Sequence, residues 1–164
     1  MLSFNKKTVL LLKIIIFVYY IMELKKEMNE QRKKDLYLGL SMEKILKPVL
    51  ENKFGELNST KLYDVFDFEN DKFCIELKTR RVKYGQYPSL MFGYNKIKKA
   101  QKTKDKDVYF FFKLTDGLYY WKYNETEYEK RIGGRNDRGF DEYKDCVYIK
   151  NKYLKNWNDL EVLK

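Results

Sequence analysis

Residues 62–79, LYDVFDFENDKFCIELKT, hold two aromatic-rich runs, 62–68 and 72–79, separated by Glu69, Asn70 and Asp71. Apolar and aromatic runs on either side of turn residues predict a β-hairpin with Asn70-Asp71 at its tip. A strand sends alternate side chains to opposite faces, so Cys74, Glu76 and Lys78 project one way while Phe73, Ile75 and Leu77 project the other. The second set faces the core. A carboxylate and an ammonium in phase on such a strand are costly to bury without a reason, although as a pair they partly neutralise each other.

The register of the hairpin decides which acid of its first strand meets Glu76. A turn of even length that pairs Phe68 with Phe73 sets Asp67 opposite Cys74, on the face of Glu76 and Lys78, and leaves Phe66 and Phe68 on the core face with Leu77. A turn of odd length would bring Asp64 over instead and carry both phenylalanines to the polar face. Asp67 is therefore the expected partner.

Upstream, Met42, Ile45, Leu46, Val49, Leu50 and Phe54 recur at three and four, which predicts one apolar helix face over 36–54. Pro48 interrupts it and predicts a kink or two shorter helices, and Gly55 is a stop signal. Residues 9–21, VLLLKIIIFVYYI, are apolar except for Lys13. That run is shorter than the ~20 residues a membrane helix needs, and no small-residue cleavage site follows it. Met22 opens a charged segment, so 1–21 reads as an over-extended start, with a membrane anchor or an ordinary helix as the alternatives, and 22–164 as one domain.

Downstream, 90–102 (LMFGYNKIKKAQK) has helical spacing and a basic side. Residues 107–114 (DVYFFFKL) are nearly continuous apolar, as a strand buried on both faces would be. Thr115-Asp116-Gly117 turns that strand into another at 118–123, 131–139 is a glycine- and arginine-rich loop, 146–149 a short strand and 152–163 a partly helical tail. Helix, hairpin, helix and strands in this order define a single α/β domain with a mixed central sheet flanked by helices.

Composition narrows the chemistry. Lys and Arg number 34 against 24 Asp and Glu in 164 residues, a net charge of +10 that suits a polyanionic partner. The same Lys-rich and Tyr-rich composition would also follow from an AT-rich genome. The chain has no histidine, which excludes histidine bases, Ser-His-Asp and Cys-His systems and the usual zinc sites. Cys74 and Cys146 are its only cysteines and form no CxxC pair, so the expected setting is a reducing, intracellular one. Carboxylates, lysines and a hard divalent cation remain for catalysis.

An acid, a second acid nine residues on and a lysine two beyond it, on adjacent strands after a Glu-bearing helix, resemble the PD-(D/E)XK nuclease superfamily. Asp67, Glu76-Leu77-Lys78 and Glu43 carry the resemblance, which spans about residues 36–113, with Phe66 standing where that pattern often has proline. It implies a restriction-endonuclease-like fold and a Mg²⁺-dependent nuclease, with Mn²⁺ as a substitute ion and DNA as the substrate. Asp67, Glu76 and the Leu77 carbonyl would bind the metal. Lys78 would orient or deprotonate water, and Glu43, or Glu51 two turns later, would hold a water or second ion. The competing reading makes Glu76 and Lys78 an exposed ion pair on an edge strand, of little consequence for stability.

For the substrate, Thr79, Arg80 and Arg81 continue from the catalytic strand toward a neighbouring phosphate. Lys96, Lys98, Lys99 and Lys102 form a basic helix side suited to backbone phosphates, with a solvated helix face as the alternative, and Asn95 and Gln101 could add polar contacts. Closely spaced glycines at 133–139 let amides approach a phosphate that Arg135 and Arg138 would clamp, unless the loop is only a connection. Tyr119, Tyr120 and Trp121 could stack on bases but suit core packing better. Cutting both strands at a symmetric site would require two active sites, hence a homodimer or a partner. A non-enzymatic nucleic-acid-binding module of the same fold is the main rival.

Overall fold

A computed structural model describes residues 6–61, 64–134 and 143–161. One helix, α1 (Lys6–Phe54), precedes two short strands, β1 (Asn58–Ser59) and β2 (Phe68–Glu69), and the longer β3 (Phe73–Thr79). Then come β4 (Ser89–Gly93), α2 (Asn95–Lys102), β5 (Asp107–Leu114), β6 (Gly117–Lys122), β7 (Tyr128–Gly133), β8 (Lys144–Lys150) and β9 (Lys155–Asn156). Six strands form the central sheet in the order β1-β2-β3-β5-β6-β9, and β4-β8-β7 form a second sheet. The β3–β5 pair is parallel and every other pair is antiparallel, so the central sheet is mixed.

β5 holds the layers together. Val108, Phe110 and Phe112 pack on one side with the second sheet (Leu90, Phe92, Val147, Ile149) and with Ile97 and Ala100 of α2. Tyr109 and Phe111 pack on the other with Leu46, Leu50 and Phe54 of α1. A strand covered on both faces has no use for polar alternation, which explains the continuous apolar run. Phe54 meets Phe73, Tyr109 and Phe111 edge-on at 5.0, 5.0 and 5.8 Å, anchoring the end of α1 on the sheet. Gly55, at φ 79°, stops the helix in the left-handed conformation that only glycine adopts without cost.

Several sequence expectations change. Pro48 does not divide 36–54 into two helices, because α1 runs through it, as a proline on an exposed helix face can when water satisfies the freed carbonyl. Ile45 lies outside the packed face at 56% exposure. Residues 89–93 are a strand rather than the start of a helix: Leu90 and Phe92 alternate inward against β8, and α2 begins only at Asn95. Arg131 belongs to β7, so the glycine-rich connection starts later than expected. Among the described residues, no helix is long and apolar enough to cross a membrane.

Candidate active site

The hairpin is tighter and shorter than its sequence suggests. Asn70 Oδ1 accepts from the amides of Lys72 and Phe73 at 3.0 and 2.9 Å, an Asx turn that closes the chain around Asp71 and Lys72. Phe68 consequently pairs with Ile75 rather than Phe73. The shift is by two residues, so the parity on which the choice of Asp67 rested survives. Only Phe68 and Glu69 form the first strand, and 64–67 bend away from it. Phe66 therefore does not join Phe68 and Leu77 but packs in the opposite half of the core against Phe110.

Where β2 breaks off, the free edge of β3 is taken over by Asp67. Its amide donates to Ile75 O at 2.9 Å and its carboxylate Oδ2 accepts from Leu77 N at 2.6 Å. The Asp67 carbonyl in turn accepts from Thr60 N at 3.0 Å. An acidic side chain thus occupies a ladder position that a longer strand would fill with backbone. Asp64 instead caps its own turn, accepting from Lys61 N at 3.0 Å, and is exposed.

Glu76 is the one buried charged residue among those described, with 0% exposure. One carboxylate oxygen, Oε1, is in ion-pair contact with the Lys78 ammonium without a well-directed hydrogen bond. The other, Oε2, accepts from Lys96 Nζ at 2.9 Å. Lys96 also donates to the Val65 carbonyl. The exposed-pair reading of Glu76 and Lys78 fails on this burial and on the position of β3 inside the sheet. Burial drives the Glu76 carboxyl above its usual range; Lys78 and Lys96 pull it down, and the charge of Asp67 pushes it further up.

Glu43 reaches the same cluster from α1. Its carboxyl is also raised, first by burial and then by the charge of Asp67, with Lys78 and Lys96 opposing. Glu51 is engaged elsewhere: it pairs with Lys47 at 2.5 Å and accepts from Leu57 N at 3.1 Å, holding the helix end to the residue before β1. Three carboxylates against two ammoniums leave the cluster one negative charge in excess when all are ionised.

These residues suit a hard divalent cation. Glu76 Oε1 lacks a directed donor, and Asp67 commits only Oδ2 to a hydrogen bond among the described residues. No group of three or more acidic or cysteine side chains converges on one point among those residues. A cation would therefore rest on the Asp67 and Glu76 pair, main-chain oxygen and water. Mg²⁺ favours such a set over an all-protein cage.

The expected substrate-facing residues divide. Lys96, read as a surface phosphate ligand, belongs to the acid cluster. It lies one helical turn before buried Ala100, a spacing already visible in the sequence. Lys98, Lys99 and Lys102 are exposed. Arg80 donates to the carbonyls of Met91 and Thr79 at 3.1 and 3.3 Å, tying β4 to the end of β3. The Thr79 hydroxyl is buried with no partner among the described residues, and Arg81 pairs with Asp35 of α1 at 3.3 Å. Tyr120 and Trp121 are core residues, and Tyr119 stacks on Tyr84 at 4.7 Å. Arg135 and Arg138 lie outside the described residues.

A mixed sheet flanked by helices, with an Asp from the bend before β2 brought beside a Glu-x-Lys on β3, is the restriction-endonuclease-like fold of the PD-(D/E)XK nuclease superfamily. Within it, a family model described as "Phage putative PDDEXK endonuclease" matches residues 59–163, more than half of the chain, and the chain belongs to that family. Comparison with curated proteins and with solved structures returns no match.

Proposed function

We propose that this chain is a Mg²⁺-dependent nuclease hydrolysing phosphodiester bonds in DNA, with its chemistry at Asp67, Glu76 and Lys78. The observation that carries the proposal is a fully buried glutamate held between two ammoniums beside an aspartate. That arrangement makes little sense as a stabilising device, since taking charges out of water costs more than a pair usually returns.

Asp67 and Glu76, with the Leu77 carbonyl, would hold the metal, and Mn²⁺ could replace Mg²⁺. Bound Mg²⁺ supplies Lewis acidity toward a phosphate oxygen and lowers the pKa of water. Lys78, partly exposed and on the same strand face as Glu76, would turn its Nζ toward the reacting phosphate, where its charge would oppose the developing negative charge. Glu43, with its raised carboxyl, is suited to hold water beside the cluster or to take up a proton at its carboxylate. The excess of basic residues, +10 over the chain, favours a polyanionic substrate.

The test is cleavage of linear, circular and branched DNA by the full chain with Mg²⁺, with EDTA and as Lys78→Ala. Cutting that needs the metal and disappears in the variant is expected. Tight binding without cutting on every substrate would replace this reading with a catalytically silent binding module.

A further inference from the structure

Lys96 makes two contacts that a phosphate ligand on a helix surface has no reason to make. Its side chain is 15% exposed, and its ammonium donates to Glu76 Oε2 at 2.9 Å and to the Val65 carbonyl. Val65 precedes Asp67 by two residues in a segment, 64–67, that has left the sheet. Its other ties run to the preceding loop and to β3: the Asp64 turn with Lys61, the Asp67 carbonyl to Thr60, the Phe66 carbonyl, which accepts from Thr60 Oγ1 at 2.5 Å, and the Asp67 amide and carboxylate to Ile75 O and Leu77 N. Lys96 adds a tie from α2, whose Ile97 and Ala100 are buried in the core, and so refers the bent segment to a rigid element.

Lys78 differs in each respect. It is more exposed, at 26%, and meets the opposite oxygen of Glu76 in an ion pair, with no backbone carbonyl as a second acceptor among the described residues. The two ammoniums thus divide the carboxylate between them, one anchored on both sides and one able to leave.

We propose that Lys96 is a positioning residue: a cationic clamp that holds Glu76 and the Asp67-bearing segment at one site and thereby leaves Lys78 free to serve the substrate. The metal-related part rests on the nuclease reading above. The clamp itself does not, because it joins two parts of this chain whether or not a cation is bound.

Amide hydrogen exchange on the metal-free full chain tests the clamp directly. Lys96→Met should speed exchange at the Asp67 and Leu77 amides about tenfold while leaving Val147, in the second sheet, unchanged. Lys96→Arg, which keeps a charged donor, should restore most of the protection. Should Lys96→Met unfold, Lys96→Gln, with two N–H donors and no charge, carries the same measurement. Unaltered exchange at Asp67 and Leu77 in a folded variant would overturn the clamp.

Calorimetric titration with Mn²⁺ alone gives the second readout. Lys96→Met should weaken binding by about 10- to 100-fold, as loss of a supporting partner of a metal ligand commonly does, and lower kcat more than it raises KM. Lys78→Met should keep the affinity and lose the cutting. A Lys96→Met protein that binds Mn²⁺ normally and shows only a raised KM for DNA would make Lys96 a phosphate contact and end the proposal. If the unaltered protein binds no Mn²⁺, the nuclease reading falls, and the exchange measurement still decides the clamp.

Discussion

Two Glu–Lys pairs in this molecule look alike on paper and behave oppositely. Glu129 and Lys150, on adjacent strands of the second sheet, meet at 2.6 Å with side-chain exposures of 46% and 54%. Glu76 meets Lys78 and Lys96 at 0% exposure. The Glu129 carboxyl lies below its usual range, pulled down by its hydrogen bond to Lys150, whereas the Glu76 carboxyl lies above it despite two cations. In water, attraction prevails because neither charge loses much solvation. In the core, desolvation prevails even against two ammoniums, and a carboxylate kept there is available to a stronger cation than lysine. Burial, more than the presence of a pair, separates the site from the surface.

The sharpest way to break this contrast is to neutralise each glutamate in turn. Glu76→Gln should lower metal-dependent DNA cleavage by about a thousandfold, the scale at which preorganised charge is lost from an active site. Asp67→Asn should do the same. Glu129→Gln should leave the rate unchanged in the same assay. Equal effects of Glu76→Gln and Glu129→Gln would mean that burial does not mark the site.

The contrast was only half legible in the sequence. The alternation of Cys74, Glu76 and Lys78 with Phe73, Ile75 and Leu77 is strict, and period two is a signal that survives error in strand length. The nearness of Asp67 to Glu76 was legible by parity alone: the register differs by two residues from the expected one, and an even shift keeps each side chain on its face. The contacts of Lys96 were not legible, because a lysine at the edge of an apolar helix stripe reads as solvated, and only the bend at 64–67 brings a carbonyl within its reach. No local pattern announces that bend. Val65 and Phe66 within it suit a strand, and the early break of β2 is a tertiary matter. The strand at 89–93 was hidden for a related reason: five residues leading straight into a helix offer too few periods to tell two from 3.6.

A smaller effect appears in how stability responds to pH. Glu43 and Glu76 both have carboxyls raised above the usual 4.5 in the folded chain, so the folded state binds more protons than the unfolded one over the window between the two values. Their contribution to stability is fully present below the unfolded value and is lost as pH rises through the folded one. Urea midpoints of the metal-free protein, compared with those of a Glu43→Gln/Glu76→Gln variant, should therefore diverge as pH rises above that starting point, with the unaltered protein losing ground. Mg²⁺ should reverse the trend, since it binds only the ionised groups and gains affinity with pH. A difference between the two proteins that stays flat across the window would show that burial leaves these carboxyls unshifted.

The smallest effect belongs to the surface pair, and its smallness is informative. Glu129 is lowered by Lys150, so any stability it contributes is present above the unfolded carboxylate value and lost only as pH falls through the depressed one. Both partners stand in solvent, where salt screens them and holding two long side chains in one geometry costs entropy. Lys150→Met should thus leave the thermal midpoint at neutral pH unmoved, in low salt and in high. The adjoining groove, lined by Ser89, Arg131, Tyr148 and Lys152, gives the variant a second reading. If nucleic acid crosses this face, Lys150→Met raises KM and flattens its salt dependence by the share of one phosphate contact, with kcat unchanged. A change in kcat would place chemistry on the second sheet and undo the division on which the comparison stands.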